Sequence, residues 1–546
     1  MQKTGAEHRI GRVLFYLTLI WGVAIFWIAP RPPLVDFPQH AGQVALWHDL
    51  LMGTSPWSKI FLINLYTPYL IGYGLALPLS FIMPVGAALK LILSVAYAAF
   101  VLLGSRLRAQ FDADPRLDWF FFPTFFGFAY TWGFYTFLAS TPVVILFLLV
   151  ADRYARQFSL QRGLAVTVVG VLLLMSHGLA FVFGAIVAGV LYTVRCRATG
   201  DQWMKRWLQG IWAFVVPAAA CVAMYVVSTK IQSAYWAQYH LPVSWNISIM
   251  RLPRLVINAT GDYYNPRILL GIAGIILFFT PWMMGLRLNR RNPAAWVMLV
   301  ILGIIEFFVP STMISTGYVY ERFALYAFPA YALVFVASSF GSGSGSNAAR
   351  GANSGSATAA TAAVAVAVAP KIARAHARGM LVLMACVWFI LGYHSMEMYR
   401  FAQEAKDFEP VLAAMQPEQR VLALTYASRS EDAGLDMAYR HYATWYQSEK
   451  KGLVDFNFGW FPPQIIRFRT DHLPLIKETF RAEAFTVAKF PIDPYRYIIA
   501  RDTGPLPADL FKGADCAPRL VMKSGTWTLF ERKDCPIAAR DLPVHG

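Results

Sequence analysis

Residues 10–40 read IGRVLFYLTLIWGVAIFWIAPRPPLVDFPQH, and two features of that stretch decide how the chain is read. Ile10 to Ala29 is an apolar block of the length an α-helix needs to cross a hydrocarbon core, about 20 residues for about 30 Å. It follows Arg9 and Arg12 as a secretory signal would, yet no small-x-small cleavage pattern precedes Pro30-Arg31-Pro32-Pro33. Because many further apolar blocks follow, it reads as an anchor. The second feature is Asp36, an ionisable side chain a few residues beyond the end of that block.

The rest of the chain repeats the first feature. Of 546 residues, 57% are apolar, 15% aromatic and only 14% charged, which excludes an ordinary soluble protein. The net charge of +17 is unevenly spread: 28 of the 48 basic residues but only 11 of the 31 acidic ones lie upstream of Ser395, and beyond it the two signs balance. No basic run with interleaved aromatics accompanies the excess, so a nucleic-acid groove is excluded and a positive-inside membrane topology is indicated.

With the N-terminus cytoplasmic, the expected spans are 10–29, 86–105, 119–134, 138–151, 163–176, 178–194, 208–228, 267–286, 294–310, 323–340 and 379–395. Loops assigned inside then carry Arg106, Arg108 and Arg116, later Arg153, Arg156 and Arg162, and later Arg287, Arg290 and Arg291. Those assigned outside hold few cations. The apolar stretch from Pro68 to Pro84 is short and bounded by prolines, so it is expected to be re-entrant or interfacial. The predicted fold is thus a polytopic α-helical membrane protein with about 11 spans and a C-terminal soluble α/β domain.

Its domains are predicted as a membrane module over 1–340, a low-complexity cytoplasmic linker over 341–378, a last span over 379–395 and an extracytoplasmic domain over 396–546. In that domain RVLALT (420–425) and YRYIIAR (495–501) read as strands, and 520–523 with 526–531 as a hairpin on Ser524-Gly525. Helical patterns are expected between 431 and 447 and near 475–484. Cys516 and Cys535 are either a disulfide on the oxidising side or two separate buried thiols.

Ionisable residues near the outer face of the membrane are expensive to desolvate and therefore candidates for function. Asp36 can cap a helix starting at Pro38, or act as a general base; capping does not exclude catalysis. Gln39 and His40 follow it closely. Asp36 with His40 supplies part of a divalent metal site, whereas His40 and His48 are too far apart to pair on one helical face, so no zinc site is assigned. His177, in an outer turn, either contacts substrate or bonds to backbone. Asp262 ends a long outer loop rich in aromatics, and Glu306 lies within a span. Glu321 and Arg322 either pair with each other or serve a ligand, and Lys90 either snorkels to head groups or holds a phosphate.

Taken together, these features resemble the GT-C superfamily of integral membrane glycosyltransferases, which includes protein O-mannosyltransferases and aminoarabinose lipid A transferases. The resemblance rests on Asp36 just after the first span, the proline-bounded segment 68–84, Lys90 in GAALKLIL, the late span ERFALYAFPAYALVF (321–335) and the tail with YRYIIAR and GTWTLFER. It implies that Asp36 is the catalytic base and that Lys90 and Arg322 clamp the lipid phosphate; Gln39, His40, His177, Asp262 and Glu321, read from the outer face itself, are the further candidate substrate contacts. The implied partners are the bilayer, a polyprenyl-phosphate sugar and an extracytoplasmic glycan, lipid or protein acceptor, in the inner (plasma) membrane. Mg²⁺ or Mn²⁺ is the cofactor it leaves open. The chain departs from the family in lacking a second acid beside Asp36, which is followed by Phe37-Pro38, and in having no acid in YTWGFYT (130–136). A transporter or flippase for a lipid-linked substrate is the alternative, and a non-catalytic assembly factor a third reading.

Overall fold

The computed structural model describes residues 5–231, 233, 241–263, 267–313, 316–337, 357–474, 476–477 and 480–537. The first apolar block is helix α1 (Gly5–Ile28). Its exit through Pro30 and Pro32-Pro33 is followed by α2 (Phe37–Leu51), which starts with a proline in its first turn and is buried along most of its length. Strand β1 (Phe61–Ile63) and α3 (Leu70–Leu79) come next. With 10 residues, α3 reaches about 15 Å and does not cross a bilayer. It therefore has the length of the expected re-entrant or interfacial piece.

Helices α4 (Val85–Gln110) and α7 (Tyr135–Arg156) run the same way. Their ends meet where Gln110 Nε2 donates to Asp152 Oδ2 at 2.7 Å, beside Arg156 and Arg195, which also bond Asp152. The chain between them must cross back. It does so not as the continuous helix expected over 119–134 but as a 3-10 turn (Pro115–Phe120) and two single turns, α5 (Phe121–Thr124) and α6 (Phe128–Thr131). Pro123 falls in the first turn of α5, where its missing N–H costs no intrahelical bond, and Gly127 admits the backbone carbonyl of Asn258, which a Cβ would approach to 2.2 Å. Phe120, Phe121, Phe122, Phe125, Phe126 and Phe128 are fully buried, so this broken segment is surrounded by protein, the condition under which irregular backbone persists at membrane depth.

The chain continues through α8 (Leu160–Ser176), α9 (Gly178–Arg197), α10 (Trp203–Gly210), α11 (Trp212–Ile231), α12 (Arg251–Thr260), α13 (Ile268–Met283) and α14 (Val297–Phe308). The expected span 323–340 is also broken: a 3-10 turn (Glu321–Tyr326) leads into α15 (Ala327–Ala332). Strand β3 (Phe335–Val336) then pairs with β2 (Arg287–Leu288). Among the described residues, α1, α4, α7, α9, α11 and the helix from Ala375 on are individually long and apolar enough to span. The last helix, α16 (Ala357–Glu404), runs through much of the low-complexity stretch expected as linker and past 395. Residues 338–356 of that region lie outside the described residues.

Beyond α16 come α17 (Phe408–Ala414), β4 (Arg420–Thr425), α18 (Trp445–Lys450), β5 (Leu453–Val454), β6 (Ile466–Phe468), β7 (Tyr497–Arg501), β8 (Arg519–Ser524) and β9 (Trp527–Glu531). Five of these strands form a mixed sheet in the order β5-β4-β7-β9-β8, with β4 parallel to both neighbours and the β8–β9 hairpin turning on Ser524-Gly525. Strand β7 is buried at every position, which matches the apolar run Tyr497–Ala500, and its last residue, Arg501, is buried in an ion pair with Glu404. Cys516 and Cys535 are bridged. The expected helix over 431–447 is mostly turns, because a Ser430–Leu435 bridge and Gly434 at φ +68° fold the chain back before α18 begins. The 475–484 region holds one 3-10 turn, Ala482–Ala484, with 475 and 478–479 outside the described residues.

This domain is fastened to the first loop. Strand β1 pairs antiparallel with β6. Gln43, fully buried on α2, donates to Ile466 O at 3.1 Å and accepts from Ile466 N at 2.9 Å. Arg31 reaches both Glu449, at 2.6 Å, and Glu409. The seam so formed is where the candidate site lies.

Candidate functional site

Asp36 is placed by backbone. Val35 N donates to Thr131 O at 3.2 Å and Asp36 N to Trp132 O at 3.0 Å, so residues 35–36 lie against the end of the broken segment. Gly133, at φ +70°, lets the two strands of chain touch. Asp36 stands at the N-cap position of α2 but its side chain makes no capping hydrogen bond. The carboxylate instead lines a cavity of about 140 Å³ between the helical module and the C-terminal domain.

Arg322 and Arg440 are the two arginines of that wall. The Arg322 guanidinium lies 4.2 Å from the Phe134 ring centre, with Nε donating to Tyr318 O at 2.9 Å and Nη2 to Gly317 O at 2.6 Å. Tyr318 holds φ at +54°, a left-handed conformation that costs a side-chain-bearing residue about 1–2 kcal/mol. That turn presents its carbonyl to Arg322. On the other side, His441 Nε2 approaches Asp36 Oδ1 to 3.6 Å. Burial, then the nearby Arg440 and Arg481 charges, hold the His441 imidazole well below its ordinary pKa, so it is neutral.

The other sequence candidates divide. His40 and His177 line the cavity. The His40 Nδ1 lies 2.6 Å from the Tyr73 hydroxyl, which in turn donates to Gln464 Oε1 at 2.7 Å; burial pushes the imidazole down to about 3. His177 Nδ1 accepts from Ala180 N at 3.4 Å, the backbone bond expected of a turn histidine, while its ring still faces the cavity. Gln39 is not a wall residue: it donates to Phe456 O at 3.2 Å and accepts from Phe458 N at 3.0 Å, docking the C-terminal domain.

Lys90 is elsewhere. Its ammonium donates to Ala29 O at 3.3 Å and Pro30 O at 3.1 Å and lies 5.0 Å from the Trp27 ring centre, so it fastens the end of α1 instead of lining the cavity with Arg322. Glu321 accepts from the Ser311 hydroxyl, and neither it nor Asp262, buried after α12, is a wall residue. Glu306 is buried within α14, away from the cavity.

Asp36 is the single carboxylate among the described wall residues, and no group of three or more His, Cys, Asp or Glu side chains gathers among the described residues. Mg²⁺ and Mn²⁺ take mainly oxygen ligands, several at once. One carboxylate with a His40 already bonded to Tyr73 does not fit such an ion.

Arg440, His441, Phe456 and Phe458 were not singled out from the sequence. YRHY (439–442) has no spacing that marks a site, and only the docking of a domain from the far end of the chain brings it to Asp36. A second feature adjoins the cavity. An apolar groove of about 370 Å³ runs between α9, α11 and the 66–69 segment, and shares Tyr69, Thr316 and Pro463 with the cavity wall.

No protein-family model matches the chain, and no curated protein matches its sequence. Among solved structures, that of ArnT from Cupriavidus metallidurans in the apo state superposes with a TM-score of 0.51 over 99% of this chain and 100% of that chain, at 12% identity. The chain therefore has the fold of ArnT.

Proposed function

We propose that this GT-C-fold chain is a membrane glycosyltransferase that moves a sugar from a polyprenyl-phosphate donor to an extracytoplasmic acceptor, with inversion. The observation that carries the reading is the juxtaposition of Asp36, Arg322 and Arg440 on one cavity wall that adjoins an apolar groove. A lipid-linked sugar has the matching parts: an apolar tail for the groove, a phosphate for the arginines and a sugar beside the carboxylate.

In this mechanism the bond between the anomeric carbon and the phosphate oxygen breaks, and its electron pair stays on the lipid phosphate. The acceptor hydroxyl oxygen attacks the opposite face of the sugar, and its proton passes to Asp36. Arg322 and Arg440 lower the barrier because the departing phosphate gains charge where two fixed cations already stand. Arg322 needs little reorganisation to do so, since two carbonyls and the Phe134 face hold its guanidinium. In this reading the protein sits in the inner membrane with a cytoplasmic N-terminus, and the cavity and C-terminal domain lie on the periplasmic side, where both substrates meet.

The test is Asp36→Asn, which keeps the size and loses the base. Loss of a general base costs about 10²- to 10⁴-fold in rate. Transfer is expected to fall by that factor, with membrane insertion and polyprenyl-phosphate binding retained. Wild-type transfer by the variant would remove Asp36 from the mechanism.

A further inference from the structure

His177 and His40 both line the Asp36 cavity, 2% and 4% exposed, and each ring bonds to the protein through Nδ1 alone. The two bonds have opposite polarity. His177 caps α9: its Nδ1 accepts from Ala180 N at 3.4 Å, and because a backbone N–H can only donate, that nitrogen carries no proton. The proton of the neutral ring is therefore on Nε2, which is a donor. His40 Nδ1 lies 2.6 Å from the Tyr73 hydroxyl, and that hydroxyl gives its one proton to Gln464 Oε1 at 2.7 Å. The His40 proton is then on Nδ1, and Nε2 is left as an acceptor. Burial keeps the His40 ring neutral, with its pKa pushed down to about 3. Among the described residues no protein group bonds either Nε2, and neither atom is sealed from the cavity. Neighbouring rings fix both imidazoles. His177 packs on Tyr69 and Phe137, at 5.1 and 5.4 Å between ring centres, and His40 on Tyr135 and Phe458, at 5.6 and 5.0 Å.

We propose that this fixed donor and this fixed acceptor read hydroxyl groups on the sugar of the donor lipid, so that the sugar transferred is a neutral hexose or pentose with free hydroxyls facing the two rings. The inference rests on the glycosyltransferase reading and assigns the class of its donor sugar. A hydroxyl both donates and accepts, so it satisfies either nitrogen. Charged sugar substituents do not. An ammonium has no lone pair for the His177 Nε2–H, and a carboxylate or phosphate has no proton for the His40 Nε2. Either mismatch leaves a buried nitrogen unpaired, which costs more than the bond that is missing. A metal ion suits the His40 Nε2 no better, since Asp36 is the single carboxylate among the described wall residues. The two rings are also within one ligand's reach of the phosphate grip, because Arg322 and His40 are both close enough to act electrostatically on His177. Tyr69 and Phe458, which pack on these imidazoles, belong to the same wall and offer apolar surface to the C–H face of a sugar ring.

The experiment uses the full chain in nanodiscs and titrates it with polyprenyl phosphate, either bare or carrying glucose, galactose, mannose, arabinose or 4-amino-4-deoxyarabinose. Wild type is expected to bind at least one of the neutral sugar lipids about tenfold or more tightly than both the bare lipid and the amino-sugar lipid. His177→Asn and His40→Asn are the variants, because an asparagine amide can reproduce the Nδ1 bond, to Ala180 N or to the Tyr73 hydroxyl, and has nothing at the Nε2 position. Each is expected to reduce the preference for the neutral sugar lipid over the bare lipid by about tenfold, with affinity for the bare lipid unchanged. A merely structural role for either histidine would move both affinities together. A preference for the amino-sugar lipid, or a neutral-sugar preference that survives in either variant, overturns the proposal. Binding of bare polyprenyl phosphate with no preference for any sugar overturns the reading of the two histidines and leaves the donor site standing. Failure of wild type to bind polyprenyl phosphate removes the glycosyltransferase reading and, with it, the assignment of the donor sugar.

Discussion

His441 Nε2 stands 3.6 Å from a carboxylate oxygen of Asp36, although one belongs to the C-terminal domain and the other to the first loop. The carboxylate is therefore held between two parts of the chain: backbone bonds to Thr131 and Trp132 fix its main chain, and a neutral imidazole limits where its oxygens point. A misplacement of about 1 Å in a catalytic group costs about 100-fold in rate. His441→Ala is expected to lower kcat by about that factor with the donor KM little changed, and His441→Asn to recover part of the loss. Steady-state transfer kinetics separate this from general unfolding, which would reduce active enzyme in both variants alike. An unchanged kcat in His441→Ala would remove the positioning role.

Arg322 and Lys90 make a contrasting pair. Both were expected to grip the lipid phosphate, but only Arg322 lines the cavity, while Lys90 bonds the carbonyls of Ala29 and Pro30. Arg322→Gln is expected to weaken polyprenyl-phosphate binding about tenfold, roughly 1.4 kcal/mol. Lys90→Gln is expected to leave that affinity unchanged and to reduce stability by about 1.5–3 kcal/mol, the range for hydrogen bonds to a charged group. Lipid titration and thermal unfolding of both variants check the assignment; equal losses of lipid affinity would return Lys90 to the clamp.

These residues also show how far the sequence could be read. Asp36 stood out because a charge just past a span has few explanations, and β4, β7 and the β8–β9 hairpin were legible because short runs rich in β-branched and aromatic residues, bounded by turn residues, favour strands. The crossing at 119–134 was legible from loop charges, but its broken form was not. Phenylalanine-rich sequence looks the same in a straight span and in a buried irregular one, and only the close approach of Asn258 to Gly127 distinguishes them. The position of the Lys90 ammonium, on the carbonyls of Ala29 and Pro30, could not be read from sequence because local sequence does not tell which carbonyl ends an ammonium will reach. Arg440 and His441 were invisible for a related reason, since their role comes from tertiary docking through Gln39, Gln43 and the β1–β6 pairing.

Acid should loosen the seam. His40 is buried and pushed down to about 3, and His441 is likewise held well below its ordinary value, by burial and then by Arg440 and Arg481. An unfolded chain protonates both near pH 6.5. Between that pH and the folded values the unfolded state binds more protons, so stability falls as pH drops below 6.5 toward 3. The thermal unfolding temperature is expected to decline across this window, and His441→Asn, which does not titrate there, to flatten the decline. A slope identical in wild type and variant would mean that His441 is not buried neutral.

The contact between Gly133 and the first loop yields a final expectation. A Cβ at Gly133 would come within 3.0 Å of Leu34 Cβ, 3.0 Å of Phe37 N and 3.1 Å of Asp36 N, and the residue already sits at φ +70°. Gly133→Ala therefore carries two penalties: about 1–2 kcal/mol for the left-handed backbone, and a push on the main chain that carries Asp36. Asn tolerates that backbone better than Ala but brings the same Cβ. Gly133→Asn is thus expected to regain stability relative to Gly133→Ala while sharing its loss of turnover, because the displacement of Asp36 is common to both. Unfolding temperature and kcat measured on the pair decide it: a wild-type kcat in Gly133→Asn would mean that the carboxylate is not held by this close approach, and a kcat that tracks stability in both would mean the same.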